Sequence, residues 1–164
     1  MMKNIKKLVA ELLCMVIAIG ILAGCGSDPV AEEFENFLNV EMVEVNANYE
    51  KLKAELANWE KYETDAEMLD SFNKVLIPNV EESLKLLSEI DVQTEEVKAI
   101  KAKYKDMLEV YKTGFTMLSD AMAKADEAAI TTALTKLEEA LTLLDEYNAA
   151  LEELAAEKGL SVEY

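Results

Sequence analysis

The sequence predicts an all-α fold, an antiparallel up-down-up-down four-helix bundle, on three observations. Alanine, leucine, glutamate and lysine dominate beyond residue 24, glycine is scarce, and the two prolines are Pro29 and Pro78; such a composition favours helix throughout. Apolar residues recur in alternating steps of four and three along long runs, which is the helical period. Brief polar breaks with capping residues separate four such runs, and short connections make neighbouring helices antiparallel. A three-helix bundle with a partly detached first helix is the alternative.

The first helix is expected to open at Asp28 as the capping side chain. Pro29 takes the first helical position, and Glu32 and Glu33 in the opening turn complement the helix dipole. Its seam reads Leu38, Met42, Val45, Tyr49, Leu52, Leu56, Trp59, the spacing of helices packed nearly parallel in a bundle or coiled coil, and it is expected to end near Tyr62. Thr64 and Glu67 form a T-x-x-E capping box for a second helix, with Leu69, Phe72, Leu76, Val80, Leu84 and Leu87 on its apolar side. Pro78 interrupts that helix. It has no N–H for the carbonyl of residue 74 and its ring crowds that carbonyl, so a kink is expected, or a break with Asn79 capping the continuation.

The pattern lapses from Ile90 to Gln93, and a third helix follows with Val97, Ile100, Tyr104, Met107, Tyr111, Leu118 and Ala125 on one seam and Leu108, Phe115 and Met122 beside it. Gly114 and Ala121 fall on the same seam. Glycine inside a helix costs about 1 kcal/mol relative to alanine, so Gly114 is expected to allow the close approach of a neighbour or to leave room for an aromatic ring. Asp126 should cap a fourth helix with the stripe Ile130, Leu134, Leu137, Leu141, Leu144, Asn148, Leu151, Ala155, ended by Gly159 in a left-handed stop with Leu160 as the apolar contact. One stripe position is polar. Either Asn148 sets helix register, or the helix rotates so that Tyr147 faces inward.

Upstream of these helices, Lys3, Lys6 and Lys7 precede an apolar run from Leu8 to Leu22, interrupted by Glu11 and closed by the small pair Ala23 and Gly24. That is the three-part layout of a secretory signal peptide. Leu22-Ala23-Gly24-Cys25 resembles the lipobox of bacterial lipoproteins, which implies cleavage between Gly24 and Cys25 and a diacylglyceryl anchor, with acyl chains such as palmitate, on Cys25. The expected organisation is therefore 1–24 signal peptide, 25–28 lipidated tether and 29–164 helical domain. A chain with two or more acyl groups is stably held, placing the protein at the extracytoplasmic face of the cell membrane. The stretches TEEVKAIKAKYKDMLEVYKTGFTML and LEEALTLLDEYNAALEELAAEKGL give the layout a further resemblance to small helical bacterial lipoproteins of uncharacterised function, which implies no activity.

Charge and missing residue types narrow the chemistry. The formal balance is −17, and beyond residue 24 there are 13 lysines against 32 acidic residues. Such a surface repels nucleic acid, so no nucleic-acid partner is expected. There is no histidine and no arginine, which removes imidazole-based triads, imidazole-ligated haem, Glu-x-x-His di-iron sites and bidentate guanidinium recognition. With Cys25 acylated, no free thiol remains downstream. No enzyme activity, cofactor or metal is expected. The adjacent acid pairs, Glu32-Glu33 and Glu138-Glu139 among them, lie mainly off the seams and read as solvated surface. The methionines fit core filling, and Trp59, Tyr62 and Phe72 are expected to cap the core near the turn between the first two helices. The leading functional expectation is a non-enzymatic interaction or structural module meeting an envelope protein. The alternative is a small-ligand carrier with a pocket between the second and third helices near Pro78 and Gly114.

Overall fold

The computed structural model describes Ile5, Gly20–Leu22 and residues 28–163, and these are nearly all helical. Helix α1 (Pro29–Asn36) passes through a π-helical turn (Phe37–Glu41) into α2 (Val43–Asn58), which closes in a 3-10 turn (Trp59–Lys61). Helix α3 (Asp65–Ser71) likewise passes through a π-helical turn (Phe72–Leu76) into α4 (Ile77–Glu89). Two long helices follow, α5 (Glu95–Ala123) and α6 (Glu127–Lys158). Strand β1 (Gly20–Leu22) pairs antiparallel with strand β2 (Ser161–Glu163). None of the helices among the described residues is long and apolar enough to cross a membrane.

The start and stop signals act as the sequence implies. The Asp28 carboxylate accepts from the Val30 N–H at 2.8 Å, and the Asp126 carboxylate from the Ala129 N–H at 3.0 Å. Thr64 and Glu67 form the reciprocal capping box. Gly159 has φ 70°, and the N–H groups of Gly159 and Leu160 donate to the carbonyls of Ala156 and Ala155, a Schellman closure with Leu160 buried. The turn after α5 makes the same closure without glycine. Ala125 takes φ 51° there, and the Asp126 N–H donates to the Ala121 carbonyl. Ala125 is thus an exposed turn residue and not the last position of the third seam.

Helices α5 and α6 make the most extensive pairing, α4 packs on both α2 and α5, and α1 touches α5 and α6. The first helical stretch is not detached: Phe34, Phe37, Leu38, Met42 and Val45 are all at most 1% exposed. The fourth seam is rotated from the strict stripe. Tyr147 is fully buried, while Leu134 and Asn148 are only partly so. Aromatic rings form the far cap of the core: Trp59 meets Phe72 edge-on at 4.8 Å between centroids, Phe72 meets Phe115 at 5.8 Å, and the Trp59 indole N–H donates to Ser71 Oγ at 2.7 Å. Tyr62 stands partly outside that cap, its hydroxyl donating to Glu55 at 2.6 Å.

At Pro78 the expected break with Asn79 as a new cap does not occur. The Ile77 N–H reaches back five residues to the Phe72 carbonyl, so the ladder widens by one residue before the proline, and Pro78 falls in the first turn of α4, where a missing N–H is tolerated. Asn79 instead accepts, through its carbonyl, from Ser83 Oγ at 3.0 Å.

At Gly114, α5 lies close against Leu137 of α6. A β-carbon there would lie 2.5 Å from Leu137 Cδ2 and 2.8 Å from its Cγ, and Leu137 is itself buried with little room to yield. Alanine recovers about 1 kcal/mol of helix propensity, whereas overpacking of this kind costs about 1–3 kcal/mol. Gly114→Ala is expected to lower stability in urea unfolding by about 1 kcal/mol net. In a Leu137→Ala background the clash disappears and the same change should stabilise, so the sign reversal in a double-mutant cycle is the measurement.

Candidate functional site

The expected anchor residues Gly24 and Cys25 lie outside the described residues. The continuously described chain begins at Asp28, and two contacts there tie the start of α1 to distant parts of the fold. The Asp28 carboxylate, besides capping α1, accepts from Lys158 Nζ at 3.0 Å at the end of α6. One turn further on, the Glu33 carboxylate accepts from the backbone N–H groups of Gln93 at 2.5 Å and Thr94 at 2.7 Å, and from the Thr94 hydroxyl. Lys101 Nζ closes the same end by donating to the Ile90 carbonyl. The beginnings of α1 and α5 and the ends of α4 and α6 therefore meet at one end of the molecule.

These bonds move the carboxyl equilibria. The Lys158 ammonium beside Asp28, with the Val30 N–H, holds that carboxyl below its ordinary value. Desolvation would push Glu33 up, but the Thr94 hydroxyl and the two backbone N–H donors outweigh it and the net shift is downward. A carboxylate with a folded-state pKa below its unfolded value contributes stability above the unfolded value, roughly pH 4, and loses it as pH falls through the folded value.

The cavity reading has a narrow geometric basis. A recess between α2, α4 and α5 is walled by Tyr49, Leu52, Val80, Ser83, Tyr104 and Tyr111, and its enclosed volume is about 20 Å³, enough for roughly one water molecule. It does lie between the second and third helical stretches, but α2 forms its third wall. Pro78 is not among its lining residues, although the adjacent Asn79 is; Gly114 faces Leu137 on α6 instead. Burial raises the Tyr49 phenol to about 12 and drives Tyr104 and Tyr111 above their ordinary range. The recess thus offers neutral hydroxyls for hydrogen bonding and no group that exchanges a proton near neutral pH.

Two further buried polar groups differ in how they are satisfied. Trp59 and Ser71 satisfy each other, whereas the buried Tyr147 hydroxyl finds no hydrogen-bond partner among the described residues, its ring against Tyr104 at 4.9 Å. Sequence reading missed the Glu33 clamp. Glu33 carries a local signal, an acid in a first turn, but its partners are 60 and 61 residues away and no local spacing announces them. Lys158 offered only the general preference for a cation in the last turn.

Two measurements test this end and the buried polar groups. The melting temperature of an Asp28→Asn/Glu33→Gln double variant should lie below that of the parent at pH 7, and the gap should narrow as pH falls below the ordinary carboxylate value of about 4. The difference between the two proteins is the readout, because acid also relieves the self-repulsion of the −17 chain. In urea unfolding, Ser71→Ala should cost about 1–3 kcal/mol by orphaning the Trp59 N–H, whereas Tyr147→Phe should be neutral or stabilising by up to about 1 kcal/mol.

Comparison with known proteins adds one match. The family described as "Uncharacterised lipoprotein PM1805" matches residues 31–159, a span from the first turn of α1 to the glycine that ends α6. No curated protein and no solved structure matches the chain.

Proposed function

The chain belongs to the uncharacterised lipoprotein PM1805 family, and from that premise we propose that it is anchored through Cys25 at the extracytoplasmic face of the cell membrane and serves there as a non-enzymatic interaction or structural module of the envelope. The observation that carries this reading is the position of Asp28. It lies three residues from Cys25 and belongs at once to the α1 cap and to the bond with Lys158. A tether of about 10–14 Å at about 3.5 Å per residue then joins lipid to a clamped helical body, which leaves the domain little freedom to wander.

The body on this anchor reads as the up-down-up-down bundle, its rods being α1 with α2, α3 with α4, α5 and α6. Support comes from the meeting of Asp28 with Lys158 and of Glu33 with Thr94 at one end, and from the Trp59–Ser71 bond and the Ala125 turn between successive rods. An interaction role is favoured by the apolar surface of the first rod: Val40 and Val43 are 61% and 54% exposed. Val40 borders a shallow groove with Leu86 and Ile90, rimmed by Glu41, Glu44 and Glu89. An apolar strip with an acidic rim suits a partner segment that is apolar with basic flanks. The small-ligand alternative, placed between the second and third helical stretches, meets there a recess of about 20 Å³, too little for a ligand larger than water without rearrangement.

Cys25→Ser is expected to accumulate as a longer, unprocessed chain that takes up no fatty-acid label, by intact mass and metabolic labelling. Processing unchanged in that variant would overturn the anchor. A photo-crosslinking residue at position 40 should give a discrete protein adduct in intact cells, abolished by Val43→Lys; a smear of lipid adducts alone would remove the partner from the reading.

A further inference from the structure

Part of the folded core comes from the segment that the anchor reading removes. Ile5 is fully buried in the same apolar cluster as the helices, and β1 pairs with β2 in the register Gly20↔Glu163, Ile21↔Val162, Leu22↔Ser161 while lying against α1 and the Phe37–Glu41 turn. All four of these upstream residues precede the expected cleavage point between Gly24 and Cys25. Cleavage therefore withdraws a strand from β2 and a buried side chain from the core, and leaves β2 with an open edge of backbone N–H and C=O groups.

We infer that in the processed protein the edge of Ser161–Glu163 is a docking site for an extended, uncharged apolar segment of an envelope partner, which adds to it as an antiparallel strand in the place of Gly20–Leu22. The inference rests on the proposed cleavage and deepens the interaction reading by assigning a surface and a partner chemistry. Three features of the fold favour a peptide. Acyl chains cannot pair with a strand edge, whereas an extended backbone can. Val162 already packs against the core, so the strand is fixed at its middle residue. The Gly159 closure and the bond from Lys158 to Asp28 hold the root of β2 at the tethered end, so the partner segment must reach it close to the membrane. A three-residue ladder makes few hydrogen bonds and suits a weak, exchangeable contact.

The test uses processed lipoprotein in nanodiscs and a capped peptide carrying residues 18–24 with a lysine at each end for solubility, KAIGILAGK. Hydrogen exchange at residues 161–163 is expected to be slow in the unprocessed Cys25→Ser chain, fast in the processed protein, and slow again on adding the peptide. Val162→Pro should weaken peptide binding at least about tenfold relative to Val162→Ala, which loses the same packing but keeps the backbone N–H, and the peptide KAIGPLAGK should give no protection. Absence of protection in the processed protein at millimolar peptide, or equal binding by Val162→Pro, overturns the docking site. Intact mass reads the premise separately: a processed mass with no peptide protection refutes the docking site alone, and a mass that retains Met1–Gly24 refutes it together with the cleavage.

Discussion

Helices α5 and α6 can lie as close as they do because Gly114 presents no side chain to Leu137, and the other helices are arranged on the pair so formed. The two helices contain 29 and 32 residues, roughly 44 and 48 Å at 1.5 Å per residue, and they supply the buried residues from Val97 to Ala155 that run the length of the core. Helix α4 then docks on α5 and α2 on α4. With one glycine setting the separation of the longest pair, the volume available to Tyr104 and Tyr147, whose rings meet at a tilt between them, is set as well.

That packing explains why the polar contacts gather at the ends. A buried seam of leucine, alanine and aromatic rings gives little positional information along the helix axis, since a shift by one heptad replaces one apolar contact with another. The hydrogen bonds from Gln93 and Thr94 to Glu33, and from Lys158 to Asp28, admit one axial position only. At the opposite end the Trp59–Ser71 bond has the same effect for the turn between the first two rods. Apolar burial supplies most of the free energy of folding, and these few directional bonds select the register.

How much of this was legible in the sequence follows from the range of each interaction. Caps are local: Asp28, Thr64 with Glu67, Asp126 and Gly159 each act within a few residues, and each acts as the sequence implies. Seams are nearly as legible, because burial repeats with the helical period. The exceptions are rotations that bury Asn48, Met68, Ser83 and Tyr147 more deeply than the predicted Tyr49, Leu69, Leu84 and Asn148, and an end at Ala123 that releases Ala125 to the turn. The π-helical turns were not legible, because widening a turn by one residue leaves the apolar spacing almost unchanged. Pro78 signalled a disturbance, yet not whether the helix would break there or widen before it. The Glu33 clamp was the least legible feature, since its partners are set by tertiary packing.

The same distinction bears on the candidate sites. Pro78 and Gly114 drew attention because proline and glycine are conspicuous inside helices, and both have structural work that accounts for them: one follows a widened turn, the other admits a leucine. The surfaces left unexplained by folding are of another kind. Val40 stands exposed beside an acid-rimmed groove, and β2 pairs with a strand that lies upstream of the expected cleavage point. The sequence has no histidine and no arginine, and backbone pairing at a strand edge needs neither side chain.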